Sequence, residues 1–167
     1  AKELLELFLE YHPDIRFHLE IHPALLSEEL KEELKHLPEG LLHLEAGIQS
    51  LREPVLEKSR RMGKLTDALE GLKFLCSLPN METHADLIAG LPLYHLSEIF
   101  EDIRVLAAYG AGEIQLESLK LLPGTEMRRR AEELGIQYSP LPPYEVLQTR
   151  EINVSELQTA RQLSRLL

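Results

Sequence analysis

The fold is indicated most directly by the stretch LHLEAGIQ at residues 42–49. Its apolar residues alternate with polar or small ones, and this period of two is typical of a β-strand with one buried face. The polar face would carry His43, Glu45 and Gln49, and the apolar face would pack against helices.

Three more stretches have a strand-like pattern, at residues 16–22, 81–89 and 113–121. Helical patterns precede, separate and follow the four strands, at about residues 1–11, 24–36, 54–76 with a break near Gly63, 96–109 and 125–134. Parallel strands need long crossover connections, so this order predicts an α/β fold with a parallel sheet. The alternative is a half-exposed antiparallel sheet whose polar face contacts water.

Polar residues recur on one face of each predicted strand, and burying such groups without partners costs free energy. A concave wall of carboxylates, imidazoles and amides therefore suggests water, a ligand or a cofactor. We predict a partial (β/α) TIM-like barrel with a polar lumen and with its chemistry at the carboxyl ends of the strands.

The regular alternation ends near Gly135. We expect residues 1–135 to form the barrel part. Residues 136–167 would form a proline-rich connection, a short edge strand at 144–149 and a last helix. Ser155 and Gln158 have the spacing of a capping box, which predicts that they open this helix and that it runs to Leu167.

The composition excludes several classes of protein. The chain has 18 Lys and Arg against 28 Asp and Glu, a net charge of −10, whereas nucleic-acid binding needs a basic surface. No apolar run approaches the length of a membrane span, and no signal peptide opens the sequence. We therefore expect a cytoplasmic protein without nucleic-acid or membrane partners.

Metal binding is a weaker alternative. His18, Glu20 and His22 share one face of the first strand, and His43, Glu45, His84 and Asp86 would lie on neighbouring strands. This spacing occurs on any polar strand, so it assigns no metal ligand in this chain. The one cysteine, Cys76, follows apolar helical positions and is expected to be a buried, inert thiol.

Two segments at predicted strand ends have polar side chains suited to a ligand. Gly47-Ile48-Gln49-Ser50 ends the second strand, and Arg61 follows in a segment with a helical pattern. Asp86 points toward the lumen near the end of the third strand, before Gly90-Leu91-Pro92. By itself each feature is also explained by ordinary turn chemistry, with Thr125 as a helix N-cap after the fourth strand.

Together these segments resemble the radical S-adenosylmethionine (SAM) superfamily. The resemblance rests on motifs in register: Glu20-Ile21-His22-Pro23, Gly47-Ile48-Gln49-Ser50 with Arg61, Asp86 to Pro92, Pro123-Gly124-Thr125, and Pro142 to Leu147. The branch contains oxygen-independent coproporphyrinogen III oxidase and the methylthiotransferases. Within this branch, the sequence most resembles bacterial Fe-S oxidoreductase-like proteins of unknown substrate that carry a cobalamin-binding domain ahead of the radical SAM barrel.

The resemblance implies the last four parallel strands of a (β/α)6 radical SAM barrel, followed by a short helical extension. It implies that Glu20 and Gln49 line the methionyl and ribose region of SAM, that Arg61 contacts its carboxylate and that Asp86 contacts its ribose or amino group. The segment from Gln115 to Glu117 would flank the adenine. The implied substrate-lumen residues are His18, His22, His43, Glu45 and His84.

The sequence departs from the family at the 4Fe-4S cluster. Cluster ligation takes three thiolates from a CxxxCxxC loop, and this chain has one cysteine. We therefore expect the cluster loop and the glycine-rich SAM motif to precede Ala1 in a longer enzyme, so that this part alone is inert. Cobalamin is a further cofactor implied for the parent protein.

Two other functions remain open at this point. The chain could be a non-catalytic binding domain on a half-barrel, or a metal-dependent hydrolase that uses His18, Glu20, His22 and Asp86. For a half-barrel, the resemblance implies three partners: a small-molecule substrate, the missing first half of the barrel, and a second copy paired through an exposed strand edge.

Overall fold

The computed structural model describes residues 2–11 and 15–167. It contains four parallel strands in one sheet, in the order β1-β2-β3-β4, with helices between them. The strands are β1 (Phe17–Ile21), β2 (Leu42–Gln49), β3 (Glu82–Ala89) and β4 (Glu113–Ser118). The predicted α/β fold of a partial barrel is confirmed, and the antiparallel alternative is wrong.

The helices are α1 (Lys2–Tyr11), α2 (Glu28–Lys35), α3 (Glu53–Lys58), α4 (Leu65–Cys76), α5 (Leu96–Ala108), α6 (Glu126–Arg129), α7 (Ala131–Leu134) and α8 (Val154–Ser164). A short 3-10 turn, Pro23–Leu25, precedes α2, and a small antiparallel pair, β5 (Gln137–Tyr138) and β6 (Val146–Gln148), precedes α8. Among the described residues, no helix has the length and apolar character of a bilayer span.

Several predicted helix boundaries were wrong, and local chemistry explains two of them. Helix α2 begins only at Glu28 because the Ser27 side chain accepts a hydrogen bond from the backbone N–H of Leu30 and so caps it. Helix α8 is capped by Asn153 and Glu156 in a reciprocal capping box, instead of by Ser155 and Gln158. The predicted helix at 125–134 consists of two short helices, α6 and α7, joined at residue 130.

The chain divides into two compact units. The first comprises residues up to Ile48, Gly63–Ala85 and Leu106–Glu113. The second comprises Gln49–Met62, Asp86–Val105 and Ile114–Leu167.

In the first unit, β1 and β2 pair in parallel, with His18 opposite His43 and Glu20 opposite Glu45. Strand β2 alternates as predicted, since Leu42, Leu44, Ala46 and Ile48 are buried and the residues between them are half-buried. The polar side chains of these strands therefore share a face opposite the apolar core.

Strand β3 departs from the predicted alternation. Its residues from Thr83 to Leu87 are all buried, including the polar His84 and Asp86, which are 5% and 6% exposed. On the edge strand β1, by contrast, His18 and Glu20 are exposed. Position in the sheet does not by itself account for this burial, because β2 also has a neighbour on each side and its polar residues are half-buried.

Candidate functional site

In the second unit, Gln49 ends β2 with a left-handed backbone, at φ of 72°. This conformation costs a residue other than glycine about 1–2 kcal/mol, so the surrounding structure must hold it. The following residue, Ser50, is completely buried.

The group that holds this turn is the carboxylate of Asp102 on α5, which is 1% exposed. Its Oδ2 accepts hydrogen bonds from the backbone N–H of Leu51 at 2.8 Å and from the Tyr94 hydroxyl at 2.6 Å. Its Oδ1 accepts a bond from Arg52 Nε at 2.9 Å. These bonds connect the residues directly after Gln49 to a buried helix face.

Burial and the hydrogen bond to Asp102 raise the pKa of Tyr94 far above that of an ordinary tyrosine. The phenol therefore stays protonated and remains a donor at every physiological pH. Both carboxylate oxygens of Asp102 thus accept hydrogen bonds, one of them from a guanidinium. These bonds offset the free-energy cost of burying the charge.

The sequence analysis missed this network, although one signal was available. Asp102 lies three residues after Ile99 and four before Leu106, both of which are fully buried. A lone acid on the apolar stripe of an amphipathic helix indicates a buried, bonded carboxylate more often than a solvated one.

The other predicted SAM-site residues of the second unit lie on β3, β4 and a loop. Asp86 is buried on β3. Arg61 lies in the loop between α3 and α4, so its predicted helical location was wrong, and burial lowers the pKa of its guanidinium. Gln115 and Glu117 are half-buried on β4 with an Nε2–Oε1 distance of 3.3 Å.

The predicted exit turn after β3 is present. Gly90 has φ of 92°, a conformation that favours glycine, and a Cβ at this position would lie in van der Waals contact with Val146 Cγ1, at 3.4 Å. The predicted N-cap is also confirmed, since the Thr125 hydroxyl accepts a hydrogen bond from the Arg128 backbone N–H.

The remaining predicted residues belong to the first unit. Glu20 is exposed on β1, and His22 is half-buried just after it. The His22 ring lies near Gly63, where a Cβ would be 3.6 Å from its Cε1 atom. Cys76 is half-buried at the end of α4, and burial raises the pKa of its thiol.

Four polar side chains converge in this first unit, and we call them the histidine cluster: His18, His43, Glu45 and His84. Glu45 Oε2 lies 2.9 Å from His18 Nε2 and 3.5 Å from His84 Nε2. His84 Nδ1 lies 2.9 Å from His43 Nε2. Burial lowers the pKa of His43, and the charge of His84 lowers it further.

His18, Glu45 and His84 could hold a metal ion, since their ligand atoms all lie within 4.8 Å of one another. Glu20, His22 and Asp86 are not members of this group, although the sequence suggested them as ligands. The three ligands come from three different strands. Which residues of neighbouring strands lie side by side depends on the pairing register, and the spacing of residues along one strand does not determine that register.

This chain is similar to known proteins in its three-dimensional structure. No family model matches this chain, and no curated protein matches it. Solved structures do match. A radical S-adenosylmethionine methyltransferase, TsrM from Kitasatospora setae, solved with cobalamin and a 4Fe-4S cluster, is 20% identical with a TM-score of 0.63. The match covers 98% of this chain and 34% of that one.

Two other solved structures are similar, and the first is described as a radical SAM enzyme. Coproporphyrinogen III oxidase (HemN) from Escherichia coli is 17% identical with a TM-score of 0.60, over 81% of this chain and 37% of that one. Elp3 from Methanocaldococcus infernus is 16% identical with a TM-score of 0.56, over 71% and 28%. The present chain thus shares the α/β fold of radical SAM enzymes and spans about a third of the length of the methyltransferase.

Proposed function

We propose that this chain is part of a radical SAM enzyme and that its second unit contributes residues that bind SAM. The observation that carries this proposal is the fold match to TsrM over 98% of the chain. The motifs at the strand ends support it independently, because they follow the order of the radical SAM family along the sequence.

The side chains at these positions fit the chemical groups of SAM. SAM presents an ammonium, a carboxylate, ribose hydroxyls and an adenine. A buried carboxylate such as Asp86 suits the ammonium or the ribose hydroxyls, and the guanidinium of Arg61 suits the carboxylate. Gln49 would meet the methionyl and ribose region, and the β4 segment from Gln115 to Glu117 would flank the adenine.

Asp102 would act as a positioning residue in this site. By holding Leu51 and Arg52, it fixes the left-handed turn at Gln49 before any ligand arrives. A turn that is already ordered loses less conformational entropy on binding. Glu20, which the resemblance implies for the methionyl region, lies in the first unit, and we assign it no contact in this site.

The chain does not fit the 4Fe-4S cluster, because it has one cysteine and burial raises the pKa of that thiol. We assign no residue of this chain to the cluster or to cobalamin. In the longer enzyme, a 4Fe-4S cluster held by other residues would supply the electron for reductive cleavage of SAM, which yields methionine and a 5′-deoxyadenosyl radical. A small-molecule substrate is proposed for the longer enzyme, and His22, which directly follows the carboxyl end of β1, is the residue of this chain proposed to face it.

The test uses a longer protein that carries this chain together with a CxxxCxxC segment, reconstituted anaerobically with iron and sulfide. We expect it to form 5′-deoxyadenosine from SAM after reduction. Product should fall sharply in Asp86→Asn and Gln49→Ala variants whose cluster spectrum is unchanged. Asp67→Asn, at an exposed position on α4, is the matched control.

Three outcomes would contradict parts of this proposal. Unchanged product in both variants would remove these residues from the SAM site. SAM binding without any product, despite an intact cluster, would favour a non-catalytic binding domain. SAM cleavage by the present chain alone would refute the expectation that it is inert without a cluster-bearing segment.

A further inference from the structure

We propose that His18, Glu45 and His84 form a binding site for a divalent transition-metal ion, with zinc as the best fit. The site lies in the first unit, on the polar face of the sheet. It does not rest on the proposed SAM function, which concerns the strand ends of the second unit.

The spacing of the ligand atoms is close to that of a tetrahedral site. Zinc–nitrogen and zinc–oxygen bonds of about 2.0–2.2 Å place neighbouring ligand atoms about 3.3–3.6 Å apart. Glu45 Oε2 lies 2.9 Å from His18 Nε2 and 3.5 Å from His84 Nε2. All three ligand atoms lie within 4.8 Å of one another, so the His18 and His84 rings would have to move closer together to hold one ion.

The chemistry of the ligands favours zinc over magnesium or calcium. Two imidazoles and one carboxylate are a common set for zinc sites with three protein ligands, whereas magnesium and calcium prefer all-oxygen sites. A fourth position would be open to water. The exposure of the ligands fits this, because the side chain of His84 is 6% exposed and that of His18 is 51% exposed.

His43 is the positioning residue of this site. Its Nε2 lies 2.9 Å from His84 Nδ1, the ring nitrogen that does not face Glu45. A metal-binding histidine is usually oriented by a hydrogen bond to its second ring nitrogen. His84 would therefore donate from Nδ1 to His43 and direct Nε2 at the metal.

The position of the site separates it from the proposed SAM site. His18 and His43 are the second residues of β1 and β2, and His84 is the third residue of β3, so all three lie near the amino ends of their strands. In (β/α) barrels this end contributes to stability, and catalysis occurs at the other end. A metal here would link β1, an edge strand, to Glu45 on β2 and His84 on β3.

The experiment titrates the untagged chain, freed of metal with a chelator, with zinc in a calorimeter. A cobalt titration followed by visible absorption reports the coordination geometry. We expect one ion per chain, a tetrahedral cobalt spectrum and a melting temperature that rises with free zinc. His18→Gln and Glu45→Gln should abolish all three signals, while His43→Gln should weaken zinc binding by about 10- to 100-fold.

The exposed His18 carries the main test, because replacing the buried His84 endangers the fold. His36→Gln and His95→Gln alter two exposed histidines outside the cluster and should bind zinc like the parent chain. Zinc binding that is absent in the folded chain would overturn the proposal. So would binding that His18→Gln and Glu45→Gln leave unchanged. Either result leaves the SAM proposal intact.

Discussion

The carboxylate of Asp102 accepts a 2.8 Å hydrogen bond from the backbone N–H of Leu51, two residues after the end of β2. A single buried acid on α5 thereby fixes the path of the chain where β2 ends. Ser50, between Gln49 and this bond, is fully buried. The turn is therefore a packed and hydrogen-bonded part of the second unit.

Asp102→Ala should therefore destabilise the protein by about 2–4 kcal/mol, because it leaves the Tyr94 hydroxyl and a backbone N–H buried without their acceptor. The estimate allows for the 30% exposure of the Arg52 side chain, which can turn to water. Urea unfolding measures the change. Asp67→Ala on the exposed face of α4 is the control, and an equal effect of both substitutions would contradict this role of Asp102.

Because Tyr94 is buried and hydrogen-bonded to Asp102, we expect the folded protein to lose stability at alkaline pH. Its pKa is raised in the folded state by burial and by Asp102, so the neutral phenol is favoured there. The associated stability is complete below the unfolded tyrosine pKa of about 10 and is lost as the pH rises above it. The urea concentration at the midpoint of unfolding, measured at a series of pH values, should fall steeply once the pH exceeds the unfolded tyrosine pKa.

Tyr94→Phe removes this titration and should flatten the alkaline decline. At neutral pH it should cost about 1–3 kcal/mol, because it removes a hydrogen bond to a charged group. Tyr11→Phe, at a tyrosine that is 50% exposed, should keep the slope of the parent chain. An identical slope in both variants would show that Tyr94 is not the group responsible.

Replacing Gly71 on α4 by alanine should lower the stability of the protein, although helix propensity alone predicts the reverse. Replacing a helical glycine by alanine normally stabilises a helix by about 1 kcal/mol. Here a Cβ would lie 2.2 Å from the Pro23 carbonyl oxygen, a backbone atom that cannot move aside alone. Gly71→Ala should instead destabilise by about 1–3 kcal/mol.

The control for Gly71 is Gly112→Ala, where the nearest atom to a new Cβ is 3.6 Å away. Thermal unfolding of both variants compares the two sites directly. A stabilised Gly71→Ala protein would mean that the 3-10 turn at Pro23–Leu25 does not pack on α4 as described.

The β1 edge leads us to propose self-association of this chain. β1 has one neighbour, β2, in the described sheet. Phe17 N–H bonds to Leu41 on the β2 side, so the N–H groups of His18 and Glu20 point to the open edge. Sedimentation should show association that grows with concentration and weakens in Glu20→Pro. A strictly monomeric profile over a wide concentration range would refute it.

Much of the fold was predictable because the two periodicities are local properties of the chain. The alternation of residues 42–49 indicates a strand with one buried face without knowledge of its neighbours. The helix starts were less predictable, as at Asn153 and Ser155, since two capping signals two residues apart compete and only tertiary packing decides between them.

The site was predictable only as a set of residues at strand ends. His18 lies next to Glu45 on the neighbouring strand, and Glu20 and His22 of its own segment are not in the group. This arrangement depends on the register between strands, which a single sequence does not specify. The Asp102 network depends on a helix and a turn fifty residues apart, and only the apolar stripe around Asp102 gave a hint of it.

Gln49→Gly separates the structural and the proposed functional role of one position. Glycine relieves the left-handed strain of about 1–2 kcal/mol and costs about 0.5–1 kcal/mol of unfolded-state entropy, so stability should stay equal or rise slightly. The amide proposed to meet SAM is lost, however. In the reconstituted enzyme, 5′-deoxyadenosine formation should therefore fall although the protein is no less stable.

Leu93→Gly is the matched control for Gln49→Gly. Leu93 also has a positive φ, of 66°, in the same unit, and its side chain is 42% exposed. It should gain a similar relief of strain and keep its product yield, because no SAM contact is proposed for it. Equal yields from the two glycine variants would place Gln49 outside the SAM site, whatever their stabilities.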